Sequence, residues 1–342
     1  MKKKGVNSRR RELLKATAVG LGAGIVSFVA IEKDQLMKVL KPVSLDEVIG
    51  LVEAEEGLGK YEKRAREREE EIKKMCRAEA DKTCLDKGEE SPECVEARSR
   101  CEKIVVKATP PKPGTRFVMA LDINKCIGCR RCAYACVMEN NTDRDTGIEW
   151  IHVLELHRDD LELLNTNIDY GEEAPRKDYV YIPMACMHCD EPSCVYVCPV
   201  VATWKEDDGI VVVDYDRCIG CRYCITACPY GARRFNWKKP RVPILELNPN
   251  MHILGNVLRY PHVVEKCIYC VQRTRDGGIP ACVEVCPVGA RSFGDINDPE
   301  GPIRRILERY GAFVLRPETG NKPMFFYYFG PARTPPRSEK KR

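Results

Sequence analysis

Residues 218–229 read C-I-G-C-R-Y-C-I-T-A-C-P, which places Cys218, Cys221, Cys224 and Cys228 at offsets of three, three and four with Pro229 directly behind them. No other stretch restricts the fold as strongly. Three thiols on one tight loop can wrap a cubane iron–sulfur cluster, while the fourth rides a short helix and reaches a second cluster. The proline ends the loop and has no N–H to satisfy. A lone C-x-x-C would be weak, because zinc and thiol redox sites share it. The full run points to iron–sulfur ligation ahead of zinc or ordinary core cysteines.

The run is repeated. Cys126, Cys129, Cys132 and Cys136 stand in C-I-G-C-R-R-C-A-Y-A-C, and the approach Asp122-Ile123-Asn124-Lys125 parallels Asp214-Tyr215-Asp216-Arg217. Cys186, Cys189, Cys194 and Cys198 precede Pro199; Cys267, Cys270, Cys282 and Cys286 precede Pro287. These two groups widen the middle gap, and either alone could be zinc. Beside the other two they complete an arrangement of four clusters. The chain has 20 cysteines in 342 residues, a usage that means a disulfide scaffold or a metal protein. Disulfide scaffolds are normally short, so metal is the better reading for the four tight groups. The net charge of +5, from 56 basic and 51 acidic residues, predicts no nucleic-acid partner.

Around these groups the chain divides into segments. Residues 1–31 carry a basic head, then Arg10-Arg11-Glu12-Leu13-Leu14-Lys15, then a short Gly/Ala-rich apolar run. This resembles a twin-arginine export signal, with an uncleaved anchor as the alternative. Residues 43–106 are charged and helix-forming, with a bend expected at Gly88 and a new start at Ser91-Pro92. Cys84 and Cys94 bracket the bend, and Cys76 and Cys101 lie about two turns further out on each arm. Matching heights favour disulfides Cys76–Cys101 and Cys84–Cys94 in an oxidising compartment, with a fifth metal site as the competing reading. Residues 107–115 hold three prolines and read as a stiff linker. The cluster domain occupies 116–330, and 331–342 is a basic, proline-rich tail.

Arg116 to Leu121 reads as a strand entering the first group, and Asp207-Asp208-Gly209 as a hairpin turn between two short strands. Such a unit has too little apolar core to fold without its clusters. His188 lies within the second group, and with no second histidine suitably placed it reads as a hydrogen bonder near a cluster rather than a ligand. Lys125, Arg130, Arg131, Arg217, Arg222 and Lys266 adjoin cysteines, as plain surface charge or as groups that offset cluster charge. No catalytic residue is indicated: there is no P-loop, dinucleotide glycine pattern, Ser–His–Asp set or H-E-x-x-H, and no small-molecule substrate is expected.

Residues 116 to about 328 resemble the four-cluster, ferredoxin-like subunits of dimethyl-sulfoxide-reductase-type molybdopterin complexes. The resemblance is carried by the run from Cys126 to Asn141, C-M-H-C-D-E-P-S-C-V-Y-V-C-P from Cys186, C-I-G-C-R-Y-C-I-T-A-C-P-Y-G-A-R from Cys218, E-K-C-I-Y-C from Glu265, F-G-D-I-N-D-P-E from Phe293 and L-R-P-E-T-G-N-K-P from Leu315. It implies an α+β fold of two bacterial-ferredoxin-like modules, an inner one (180–236) inserted in an outer one (116–150 and 262–330), behind the export signal and helical hairpin. It further implies four [4Fe–4S] clusters. Cluster A would be held by Cys126, Cys129, Cys132 and Cys286; cluster B by Cys267, Cys270, Cys282 and Cys136. Cluster C would be held by Cys186, Cys189, Cys194 and Cys228; cluster D by Cys218, Cys221, Cys224 and Cys198. Partners of the family are a polytopic quinone-interacting membrane subunit and a molybdopterin or other redox catalytic subunit. With its own export signal, the chain looks like members that work membrane-associated on the extracytoplasmic face. The alternative is a free soluble polyferredoxin.

Overall fold

The computed structural model describes residues 58–159, 167–171 and 174–331. The segment 1–31, expected to be an export signal, the start of the hairpin segment at 43–57 and the tail beyond 331 lie outside the described residues. Among the described residues no helix is long and apolar enough to cross a membrane.

The charged segment forms a helix at Leu58–Lys87, a turn through Gly88 at φ +95°, and a second helix at Pro92–Glu102. Ser91 caps the second helix by accepting the Cys94 N–H at 3.2 Å. The buried face of the long helix is Ala65, Ile72, Cys76, Ala80 and Cys84, and that of the short helix Cys94, Ala97 and Cys101. Both follow i, i+3/i+4 spacing, and the residues are small, so the helices can approach closely. Cys76 is bonded to Cys101 and Cys84 to Cys94, with Cα separations of 5.5 and 4.7 Å.

The hairpin is fastened to the rest of the chain by polar contacts. Arg64 reaches both Asp214 oxygens at 2.7 and 2.9 Å and Asp216 at 2.5 Å. Arg68 donates to the Leu258 carbonyl at 2.6 Å and lies over the Tyr260 ring. At the end of the hairpin segment Val105–Lys107 forms a strand, parallel to Asn250–His252. Two adjacent valines favour it, and the Val106 N–H is taken up by Glu69 of the long helix at 2.9 Å.

Phe117–Asp122 is the centre of a three-stranded sheet, antiparallel to Arg291–Asp295 and parallel to Phe325–Tyr328. Phe117 stacks on Phe293 at 5.1 Å, so strands far apart in sequence close over one core. Thr203–Lys205 and Val211–Val213 pair antiparallel around the Asp207–Gly209 turn. A longer antiparallel pair, His152–His157 with Tyr179–Met184, and the irregular stretch 237–262 were not anticipated from the sequence.

Candidate iron–sulfur sites

The first and third cysteine loops each begin from a fixed point. Asp122 ends the central strand and accepts the Asn124 N–H at 3.0 Å; Asp214 accepts the Asp216 N–H at 3.0 Å. The Asp122 and Asp214 carbonyls then accept the Cys126 and Cys218 N–H groups at 3.2 and 3.1 Å. Within each C-x-x-C the third residue is left-handed: Gly128 and Gly220 at φ +69°, His188 at +42°, Tyr269 at +50°. That conformation curls the loop so that its thiols converge.

The converging thiols form four sets, each with three members from one group and one from another. Cys126, Cys129, Cys132 and Cys286 line one hollow; Cys198, Cys218, Cys221 and Cys224 line another. Cys136 lies among Cys267, Cys270 and Cys282, and Cys189 among Cys186, Cys194 and Cys228. The sets are not equally placed. Cys129 and Cys221 are exposed, whereas their counterparts Cys189 and Cys270 are buried. His188 and Tyr269 join the two inner sets, their rings stacked at 3.7 Å. Cys186 and Cys189 are among the thiols acting on Tyr269. The His188 Nδ1 accepts the Val211 N–H at 3.1 Å, so its ring proton sits on Nε2.

Hydrogen bonds to sulfur recur at one position, four residues beyond the last cysteine of each group. Ala202 N–H donates to Cys198 at 3.2 Å and Ala290 N–H to Cys286 at 3.3 Å; Ala232 N–H serves Cys228. All three follow a C-P-x-x-A sequence. The first group has no proline there, its helix runs on to Glu139, and the side-chain amide of Asn140 donates to Cys136 at 3.4 Å instead. Donors of this kind favour thiolate over thiol. Burial works the other way: it is the largest influence on these thiols, pushing Cys126 and Cys267 up to about 12 and Cys224 to about 11.

Buried cations supply a second sign that anions belong here. The Arg233 guanidinium donates to Cys194 at 3.1 Å; that of Arg291 lies 3.7 Å from Cys132 and 3.8 Å from Cys282. An arginine stays charged when buried and needs a negative partner. Here the sulfurs are the partners at hand. Donor chemistry and local charge thus fit four-thiolate iron–sulfur ligation, and cysteine loops with these offsets are the hallmark of ferredoxin-like cluster carriers.

Other basic residues adjoin the cysteines in sequence. Of these, Lys266 is fully buried and donates to the Val211 and Cys267 carbonyls. Lys125 and Arg217 approach Asp122 and Asp214 at 3.9 and 3.7 Å. Arg130 lies over Tyr170, Arg222 over Trp237 and Phe235, and Arg131 is exposed. The two arginines that touch thiols, Arg233 and Arg291, were not expected from the sequence. Their signal was present as Gly231-Ala232-Arg233 and Gly289-Ala290-Arg291, the same triplet behind two Cys-Pro pairs.

Comparison with known proteins agrees with this class. Two family models, both described as 4Fe–4S dicluster domains, match residues 177–243 and residues 125–202 with 217–290. The chain is 41% identical over 217 residues to a protein of Halobacterium salinarum named for the iron–sulfur subunit of dimethyl sulfoxide reductase, covering 63% of this chain and 80% of that one. It is 37% identical to a subunit of the tetrathionate reductase of Salmonella typhimurium (63% and 73% covered). It is 38% identical to the iron–sulfur cluster-binding subunit of menaquinone reductase from Nitratidesulfovibrio vulgaris (62% and 88% covered). The chain belongs to this family of iron–sulfur subunits with paired 4Fe–4S dicluster domains, which together hold four clusters.

Proposed function

We propose that this chain is the electron-transfer subunit of a membrane-attached oxidoreductase complex, passing single electrons between a quinone-interacting polytopic subunit and a molybdopterin or other redox catalytic subunit. The ligand sets are Cys126, Cys129, Cys132 with Cys286; Cys267, Cys270, Cys282 with Cys136; Cys186, Cys189, Cys194 with Cys228; and Cys218, Cys221, Cys224 with Cys198. The inner module, 180–236, is inserted in the outer one, and the twin-arginine segment delivers the folded holoprotein to the extracytoplasmic face.

One observation carries the reading: two inner sets in which no cysteine is exposed, and two outer sets, each with one exposed cysteine, Cys129 or Cys221. The clusters supply one-electron chemistry when bound. The chain's residues do the rest. N–H donors hold the sulfurs, the buried His188–Tyr269 stack keeps water from the middle, and Cys129 and Cys221 leave an opening at each end. The names of the relatives, which include menaquinol and menaquinone enzymes, support a quinone-linked complex.

The test is anaerobic purification followed by iron analysis and redox titration. About sixteen irons, reversibly reduced, are expected. An iron count near eight, stoichiometric zinc, or clusters that cannot be reversibly reduced would refute the assignment.

A further inference from the structure

Among the described residues five arginines are buried: Arg68, Arg233, Arg259, Arg275 and Arg291. Three of them face carboxylates. Arg68 pairs with Glu71, Arg259 stands 2.9 Å from Glu265, and Arg275 joins Glu206 and Asp208. Among the described residues no carboxylate lies within ion-pair distance of Arg233 or Arg291. Both are nearly inaccessible, at 2% and 4% exposure. Arg233 is anchored by Thr203 Oγ1 at 2.9 Å, and its Nε has no hydrogen-bond partner. Arg291 lies 3.3 Å from Met119 Sδ, with the Phe325 ring 6.0 Å away.

Their positions are related. Arg233 lines the hollow of Cys198, Cys218, Cys221 and Cys224 yet donates to Cys194 of the adjoining inner set. Arg291 lines the hollow of Cys126, Cys129, Cys132 and Cys286 yet also reaches Cys282 of its adjoining inner set. Each half of the molecule thus has one permanent positive charge held between its two sets of thiols.

We propose that Arg233 and Arg291 are the potential-setting residues of the two halves, each raising the reduction potentials of the two clusters it lies between. Adding an electron makes a thiolate-bound cluster more negative. A fixed cation in a dry, low-dielectric setting favours that state. Because each guanidinium is shared, the two clusters of a half are tuned together and the halves separately. Arginine suits the role because it cannot lose its proton and its fork can face two sulfurs at once.

This inference rests on the four-cluster reading, and the experiment separates the two. Iron content and spin quantitation of the wild-type protein come first; fewer than four clusters there defeats the four-cluster reading whatever the arginines do. With four clusters present, Arg233→Gln and Arg291→Gln are titrated under EPR. Arg233→Gln is expected to lower two of the four midpoints by about tenfold in the reduction equilibrium, about 59 mV for a one-electron couple. Arg291→Gln is expected to lower the other two. Midpoints that do not move, or four that move alike in either variant, overturn the proposal. Should a Gln variant lose iron, the wild-type protein with 15N-labelled arginine decides by pulsed EPR. Nitrogen coupling from arginine to a reduced cluster supports the proposal, and its absence from every cluster overturns it.

Discussion

The third residue of each C-x-x-C loop shows how one backbone demand is met by different side chains. All four are left-handed, a conformation that costs a residue with a Cβ about 1–2 kcal/mol. At the two exposed ends the residue is glycine, and something sits where its side chain would be. A Cβ on Gly220 would fall 2.1 Å from the His262 carbonyl oxygen, and one on Gly128 would fall 2.4 Å from the Tyr181 ring. At the two inner loops the residues are His188 and Tyr269, and their rings fill the space by stacking on each other. Gly231 is also left-handed, at φ +57°, but nothing lies within 4 Å of its Cβ position. Gly220→Ala therefore adds a clash with rigid backbone to the conformational cost, together about 2–5 kcal/mol, and should lose about four irons on purification. Gly231→Ala carries the conformational cost alone and should keep its full iron content. Equal iron in the two variants would show that the His262 contact does not constrain the loop. The cysteines were legible in the sequence because their spacing is a local property. Arg233 and Arg291 carry the shared Gly-Ala-Arg triplet as a local mark, but what sets them apart from other arginines, burial without a carboxylate, depends on tertiary packing.

At the scale of elements, the helical hairpin was readable from its cysteines, its cap and its glycine. Its attachment was not, since the Arg64–Asp214 contact spans 150 residues. The same limit hid the strand at Val105–Lys107, whose partner at Asn250–His252 lies in a stretch with little strand signal of its own. The three-stranded sheet was half visible: Phe117–Asp122 stands out as an apolar run, but its neighbours are set by tertiary pairing. The hairpin's apolar face consists mainly of alanine and cysteine, which bury little area, so the disulfides must contribute much of its order. Each restricts the unfolded chain by about 2–4 kcal/mol. Cys84→Ser with Cys94→Ser should loosen the turn end, raising hydrogen exchange across 80–98, while iron content stays unchanged because no thiol of the four sets lies on the hairpin. Lost iron in this variant would mean that the hairpin cysteines take part in metal binding.

At the scale of the whole molecule, two kinds of order meet in one chain. In the cluster-bearing region four of the helices around the cysteines are short: Ser193–Tyr196, Tyr223–Ala227, Val271–Thr274 and Ala281–Glu284 each span four or five residues. Helices of that length have no stability of their own. What holds them is the convergence of the thiols on iron, and without iron nothing ties those thiols together. The hairpin depends on nothing of the kind. Its 30-residue and 11-residue helices are joined by covalent bonds that iron chelation leaves intact. Removing the clusters with an iron chelator under non-reducing conditions should therefore unfold the molecule in part. Protease protection should be lost across 116–330, together with the near-ultraviolet dichroism of the packed aromatic residues. Much of the helical signal in the far ultraviolet should persist, and a resistant fragment containing the two disulfides should survive digestion. Adding a thiol reductant afterwards should remove that remnant as well. If chelation abolishes all helix at once, the hairpin is held by the cluster domain and the disulfides do not stabilise it independently. If it leaves 116–330 protected, the clusters are not the core that these short helices require.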